Sequence, residues 1–413
     1  MSVIRPFKAI RPTKEYAKKV AALPYDVMSS EEAREMVKGN EYSFLHIDRG
    51  EIDLPVGTDI YSDAVYQKAK ENLEKLINKK ICVQDDKPCF YIYRQIWKGR
   101  AQTGLVACAS VDDYKNNVIK KHEKTRADKE QDRINHVNIL DANTGPIFLT
   151  YRPNQNVRAI ISDWISSHDT ACDFTSDEVK QTVWVVDDEK TVERIAELFT
   201  KIPDLYIADG HHRCASAVKV AELRRKENPD YSGDEEFNFF LSVLFPSDEL
   251  KIMDYNRVIK DLNGLSEEEL IEKISDRFDV EKVGRKEYHP VRQHNFGMYL
   301  GGKWYSLTAK ENTFDENDAV ESLDVSILQN NLIAPVLGIE NPKTDKRIDF
   351  VGGIRGLGEL ERRVKNGWAI AFSMYPTSLA ELMRIADENE LMPPKSTWFE
   401  PKLLSGLFIH KLK

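Results

Sequence analysis

The sequence predicts an α+β protein of more than one domain, with mixed sheets and flanking helices. Three observations lead there. Stretches rich in β-branched and aromatic residues recur at hairpin spacing. Segments of helical period separate them. The 413 residues are 41% hydrophobic and 31% charged, enough apolar material for several cores and too much for a disordered chain. At roughly 100–200 residues per domain, the expected division is an N-terminal α+β region over 1–100, a core domain over 101–260 and a C-terminal α+β region over 261–413, with linker candidates near 98–102 and 260–265.

The first element, Ile4 to Pro12, reads as extended, because residues ahead of a proline are pushed out of the helical region. Leu23-Pro-Tyr-Asp-Val27 reads as a loop, and Ser29 or Ser30 followed by glutamates marks a helix start. A helix is expected over about 59–79. Phe90–Trp97 and Thr103–Val111, joined through Lys98-Gly-Arg100, make a hairpin. The charged stretch 123–140 reads as a helix. Thr182–Val186 and Asp204–Ala208 read as short buried strands, with helices over about 190–200 and 214–227. Phe237–Phe245 is expected to form a hairpin with the segment from Leu250, around the turn Pro246–Glu249. Phe296–Tyr305 is another hairpin with glycines at its turn. Helices at about 322–336 and 377–389 flank a strand at Trp368–Tyr375. No internal repeat or low-complexity tract is visible.

Net charge is −9, which speaks against chain-wide attraction to nucleic acid or anionic membranes. The five cysteines are odd in number and show no Cys-x-x-Cys spacing, so neither a disulfide framework nor a structural zinc site is expected. The charged N-terminal segment does not read as a signal peptide, and no apolar run approaches the ~20 residues of a membrane helix. These features point to a cytoplasmic protein.

Chemistry concentrates at Tyr206-Ile-Ala-Asp-Gly-His-His-Arg213. An apolar strand ends at Asp209, and a good helix former begins after Arg213. A strand–turn–helix junction offers free N–H groups and the positive end of the helix dipole, which suits phosphate. Gly210 admits close approach to the backbone, His211, His212 and Arg213 add donors, and Asp209 is placed to accept a proton or hold a metal. If 121–136 is one helix, His122, Arg126, Lys129, Arg133 and His136 share a face, with Glu123 and Thr125 at its start. Lys395, Ser396 and Thr397, in the proline-stiffened Met392–Trp398 loop, form a third candidate anion contact. Tyr25 and Asp26 read as a turn more readily than as a site. There is no P-loop and no Gly-x-Gly-x-x-Gly run. His211-His-x-Cys214 lacks a second ligand pair for zinc, and no aromatic–basic stripe for single-stranded nucleic acid is present.

Five motifs occur in order: Arg5-Pro-Phe-Lys-Ala-Ile-Arg-Pro12, Leu23–Val27, His122-Glu-Lys-Thr125, Asp209–Arg213 and Met392-Pro-Pro-Lys-Ser-Thr-Trp-Phe-Glu-Pro-Lys402. Together they resemble the bacterial DUF1015 family over nearly the whole chain. More locally, Tyr206–Ala217 resembles the phosphate-binding motif of the ParB/sulfiredoxin-like superfamily, which includes free-serine kinases with an Asp-Gly-His-x-Arg run. That likeness implies a ParB/sulfiredoxin-like central part and a phosphotransferase acting on serine or phosphoserine. ATP, ADP or pyrophosphate would be the donor. It makes Glu123 the candidate base, though farther from the motif than in the pattern, with Asp209 as alternative base or Mg2+ ligand. Magnesium also follows from a site dominated by hard oxygens. Gly210, His211, His212, Arg213, His122, Thr125, Arg126, Lys129 and Arg133 would bind phosphate or substrate. A nucleotide-binding ParB-like regulator and a phosphoserine hydrolase that needs no nucleotide are the alternatives. Neither nucleic acid nor a membrane is the expected partner.

Overall fold

The computed structural model describes residues 1–125 and 127–413. They divide into a first unit, residues 1–250 with 401–413, and a second unit, residues 251–400. The predicted mixture of sheets and flanking helices is present in both.

The first unit is built on a nine-stranded sheet. Its strands are β1 (Ile4–Arg5), β2 (Phe90–Trp97), β3 (Arg100–Ser110), β4 (Ile119–Lys120), β5 (Ile147–Tyr151), β6 (Cys172–Ser176), β7 (Val179–Val186), β8 (Leu205–Asp209) and β9 (Phe239–Pro246). They run in the order β4-β8-β5-β9-β3-β2-β7-β6, with β1 on β3. The sheet is mixed: β8 is parallel to β4 and β9 to β5, and the remaining pairs are antiparallel. The β2–β3 hairpin forms as predicted. Its two-residue turn has Lys98 at φ 49 and Gly99 at φ 78, the paired positive values that match strand twist. Residues 98–102 are therefore turn and ladder, not a linker. The hairpin expected from 237–245 with the segment after Leu250 is not formed. All eight residues of β9 are buried, because both its edges are taken, by β3 and β5. Ile252–Met253 instead pairs with Trp398–Phe399 in the second unit.

Helices α1 (Asp63–Asn78), α2 (Ala127–Leu140), α3 (Gln155–Ser167), α4 (Glu189–Thr200) and α5 (His211–Glu227) flank this sheet. α3 buries Val157, Ile161 and Trp164, and α4 buries Ile195, Leu198 and Phe199, in one cluster with the sheet's Leu105, Leu149 and Ile207. Burial of each such side chain stabilises by about 1.5–3 kcal/mol. α1 places Ala69, Leu73 and Leu76 at three- and four-residue steps against Phe44, Ile47 and Ile409. Ser29 caps the helix Ser30–Met36 in a capping box with Glu32. α2 and α5 meet through Val137 and Val220. Residues 401–413 belong to this unit: Ile409 N–H donates to the Ile10 carbonyl at 2.9 Å, and His410–Lys411 pairs with Ala142–Asn143.

The second unit is a six-stranded antiparallel sheet of β10 (Tyr255–Ile259), β11 (Phe278–Gly284), β12 (Asn295–Leu300), β13 (Lys303–Ala309), β14 (Ile348–Gly352) and β15 (Ile370–Ser373), in the order β11-β13-β12-β15-β10-β14. The predicted β12–β13 hairpin turns on Gly301 and Gly302, both at positive φ. The helix expected over 322–336 runs from Asp324 to Leu328 and widens into a looser turn at Gln329–Ile333. The five cysteines are buried free thiols. Among the described residues, no helix is long and apolar enough to cross a membrane.

Candidate functional site

The apolar run Leu205–Ala208 makes β8 a buried strand that delivers Asp209 to its end. The chain then turns through Gly210 at φ 94 and ψ 31, and α5 begins at His211. A glycine has no side chain with which to cap, so the N-cap residue leaves the first-turn amides of this 17-residue helix without its help. A Cβ on Gly210 would lie 3.1 Å from Arg213 Nε. Gly210→Ala is therefore expected to cost about 1–2 kcal/mol for the left-handed backbone alone, read as a fall in Tm, and to push the Arg213 guanidinium aside.

The charges of this turn are paired in depth. Lys402 Nζ lies 3.1 Å from Asp209 Oδ2, and Arg213 Nη1 donates to the Pro146 carbonyl at 2.6 Å. Burial opposes the Asp209 charge, but Lys402 and Arg213 outweigh it and hold the carboxyl well below the usual carboxylate range. His211 meets His122 edge to face, with ring centroids 4.4 Å apart. The His122 backbone N–H makes a long 3.5 Å contact to His211 Nε2, which places the His211 proton on Nδ1, 3.7 Å from Glu123 Oε2. Burial, and then the neighbouring imidazole, push the His211 pKa well down; burial pushes His122 down to about 4, against the pull of Asp209. Both rings are neutral at pH 7. Among the described residues, His122 Nδ1 is buried with no hydrogen-bond partner. A buried polar atom left unpaired is rare in a folded protein and calls for an explanation.

Next to the turn lies a small cleft, partly open to solvent, whose walls include Tyr25, Asp48, Arg133, His136, Arg213 and Ser405. The Arg133 guanidinium stacks 4.0 Å from the centre of the Tyr25 ring, and its Nε and Nη2 donate to Asp132 Oδ2. Tyr25 is pushed up to about 12, chiefly by burial. Asp48 is buried, accepts from Thr144 Oγ1 at 3.2 Å, and has its carboxyl raised by burial despite Ser405 and Arg133.

The segments around 122 and 209 thus meet, as a single site requires. The predicted stripe does not form. α2 begins at Ala127 rather than 123, because Ile119–Lys120 is drawn out as a strand beside Leu205–Tyr206 and the chain is still in a loop at His122–Thr125. His122 turns to His211, whereas Arg133 and His136 line the cleft. Lys129 Nζ instead lies 3.2 Å from Tyr61 Oη, and Thr125 Oγ1 donates to Glu130. Arg126 lies outside the described residues. His212 is half-buried, and its carbonyl accepts from Ser216 Oγ at 2.8 Å. Lys395, Ser396 and Thr397 belong to the second unit. There the Lys395 carbonyl accepts from Arg257, Ser396 Oγ donates to Pro393, and the Ser396 carbonyl accepts from Thr377. Asp48, Lys402 and Ser405 were not singled out in the sequence. Of these, only Lys402 stands in a recognisable motif, as does Tyr25.

The family model described as a protein of unknown function, DUF1015, matches residues 4–326. The chain belongs to the DUF1015 family. No curated protein matches its sequence. Several solved structures are similar to this DUF1015 chain at low score. A free serine kinase in complex with AMP gives a TM-score of 0.35 at 16% identity, covering 71% of this chain and 86% of that one. A conserved hypothetical protein from Pyrococcus furiosus gives 0.33 at 15%, covering 73% and 92%. SbnI with C-terminal truncation from Staphylococcus aureus gives 0.37 at 10%, covering 72% and 85%. Likenesses at these scores carry no functional weight.

Proposed function

We propose that this DUF1015 chain is a small-molecule phosphotransferase acting on the hydroxyl of free L-serine, or in the reverse direction on phosphoserine. One observation carries the reading: Glu123 and His122 converge on the uncapped start of α5, putting a carboxylate 3.7 Å from His211 and an unpartnered imidazole nitrogen beside the Asp209–Arg213 turn. Phosphoryl transfer needs mainly positioning and charge neutralisation. The first-turn amides of α5, His122 and the Arg213 guanidinium would hold the oxygens of the transferring phosphate. Glu123 would take the serine proton as the hydroxyl oxygen bonds to phosphorus. The bond from phosphorus to the donor's bridging oxygen breaks, and its electrons leave with the donor remnant, from ATP, ADP or pyrophosphate. His211, with its proton on Nδ1, orients Glu123.

Asp209 is a poor base, because Lys402 and Arg213 hold its proton affinity low. It also fits badly as a resident Mg2+ ligand, since Lys402 already lies on Oδ2, and no group of three metal-ligating side chains occurs among the described residues. Magnesium, which would neutralise donor phosphates, would arrive with them. Asp209 is better cast as the residue that positions Lys402 and Arg213.

The test is a transfer screen with magnesium, pairing L-serine with ATP, ADP or pyrophosphate, and phosphoserine alone. Phosphoserine formation that drops about 10²–10³-fold in Arg213→Ala, with the variant still folded by thermal unfolding, is the expected result. Phosphate release from phosphoserine alone would make the protein a hydrolase. Nucleotide binding without turnover of any pair would make it a regulator.

A further inference from the structure

The cleft beside the turn holds both donors and acceptors. The donors are Arg133, stacked on Tyr25 and tied to Asp132 through Nε and Nη2, and Arg213, tied to the Pro146 carbonyl through Nη1. Each guanidinium has five N–H groups, so both keep N–H donors beyond those ties. The acceptors lie within electrostatic reach of them. Asp48 is buried and meets the Ser405 and Thr144 hydroxyls and the field of Arg133 and Arg213. The second acceptor follows from a tautomer. His136 is buried and held neutral, pushed down to about 3 by burial and then by Arg133. Its Nε2 lies 3.0 Å from the Ile47 carbonyl, which can only accept, so the proton is on Nε2 and Nδ1 carries a lone pair. Neither acceptor is needed to hold a phosphate, which is itself an acceptor and would be repelled by both.

We infer that Asp48 and His136 Nδ1 bind the ammonium group of the acceptor substrate, and that Arg133 takes its carboxylate, so that the cleft selects a small zwitterionic α-amino acid. A buried carboxylate and a buried guanidinium lining one small cleft each carry an unfavourable desolvation that a zwitterion relieves at both ends. Asp48 and Arg133 already compensate each other in part, so a substrate with only one of the two charges gains at one group and leaves the other unimproved. This assignment rests on the phosphotransferase reading only for the direction in which the hydroxyl points, toward Arg213 and Glu123.

The experiment is calorimetric titration of the full chain, without phosphate donor, with L-serine, D-glycerate and ethanolamine. Glycerate has the carboxylate and hydroxyl without the ammonium; ethanolamine has the ammonium and hydroxyl without the carboxylate. Wild type is expected to bind serine at least 10-fold more tightly than either. Asp48→Asn, which keeps an oxygen for Thr144, is expected to weaken serine at least 10-fold while leaving glycerate within about 2-fold. The wild-type comparison needs no variant and stands if Asp48→Asn fails to fold. Equal binding of the three compounds, or no binding of serine, overturns the assignment. If phosphoserine is made and Asp48→Asn leaves the KM for serine unchanged, the pocket assignment fails and the transferase reading stands. If serine binds through Asp48 and no donor yields phosphoserine, the pocket stands and the transferase reading fails.

Discussion

Glu123→Gln is expected to lower kcat for phosphate transfer to serine by about 10²–10⁴-fold, the usual contribution of a positioned general base. The amide keeps the shape and polarity of the side chain but does not accept a proton. Glu123 Oε2 lies 3.7 Å from His211 Nδ1 with the carboxylate side chain 48% exposed, so the substitution removes little packing. Tm is expected to move by less than about 0.5 kcal/mol equivalent, as for an ordinary surface change. KM for serine is expected to stay within a few-fold, because the amino-acid end of the substrate is held elsewhere. The split between kcat and KM separates a base from a residue that only shapes the pocket. A loss below 10-fold would remove Glu123 from the reaction.

Acid is expected to unfold this protein early, and through histidines rather than carboxylates. An unfolded histidine titrates near 6.5. His122 is pushed down to about 4 and His136 to about 3, both chiefly by burial, and His211 is driven the same way. Between pH 6.5 and those lower values the unfolded chain binds protons that the folded chain refuses, so stability falls as pH falls. The contribution is fully present above pH 6.5 and is lost progressively toward pH 4 and below. From pH 7 to pH 5 each of His122 and His136 removes about 2 kcal/mol. Urea unfolding at the two pH values measures the sum. His136→Gln is expected to flatten part of the dependence, since it removes one proton-binding site from the unfolded chain. A phosphate ligand bound at His122 would move the transition to a different pH, because its negative charge favours the imidazolium that burial disfavours. A stability curve level between pH 7 and 5 would show that these rings are hydrated enough to titrate normally.

Much of the first unit is legible from local pattern. The Phe90–Trp97 hairpin, the buried strand before Asp209 and the helix after it all follow from periodicity and glycine placement, because each is decided by neighbours in sequence. The errors share a cause. Phe237–Phe245 reads as one arm of a hairpin, since a proline and polar residues follow it, but β5, 95 residues upstream, and β3, 129–139 residues upstream, claim both of its edges. The His122–His136 stripe reads as one helical face until the strand at Ile119–Lys120 pulls its first residues out of the helix. Asp48 sits in a segment with no local sign of chemistry, and Lys402 closes a motif that gives no sign of its partner. Asp48 matters because it is buried beside Arg133 and Thr144, and Lys402 because it returns to Asp209 across 193 residues. Neither relation has a period or a spacing that one sequence displays. Tyr25 was visible as part of a motif, but its role depends on Arg133 stacking on it.

The placement of Lys402 has a consequence for biosynthesis. Residues 251–400 are made between the two parts of the first unit, so Asp209 leaves the ribosome long before its cation exists. At ~5–20 residues per second, the 193 residues between them take about 10–40 s to synthesise. Throughout that interval Asp209 has Arg213 but not Lys402 to offset its burial, so its carboxylate is less well compensated than in the finished protein. The Asp209–Lys402 ion pair is therefore among the last contacts of the first unit to form, and a chain released early, lacking 401–413, is expected to keep the strands of the sheet without that pair.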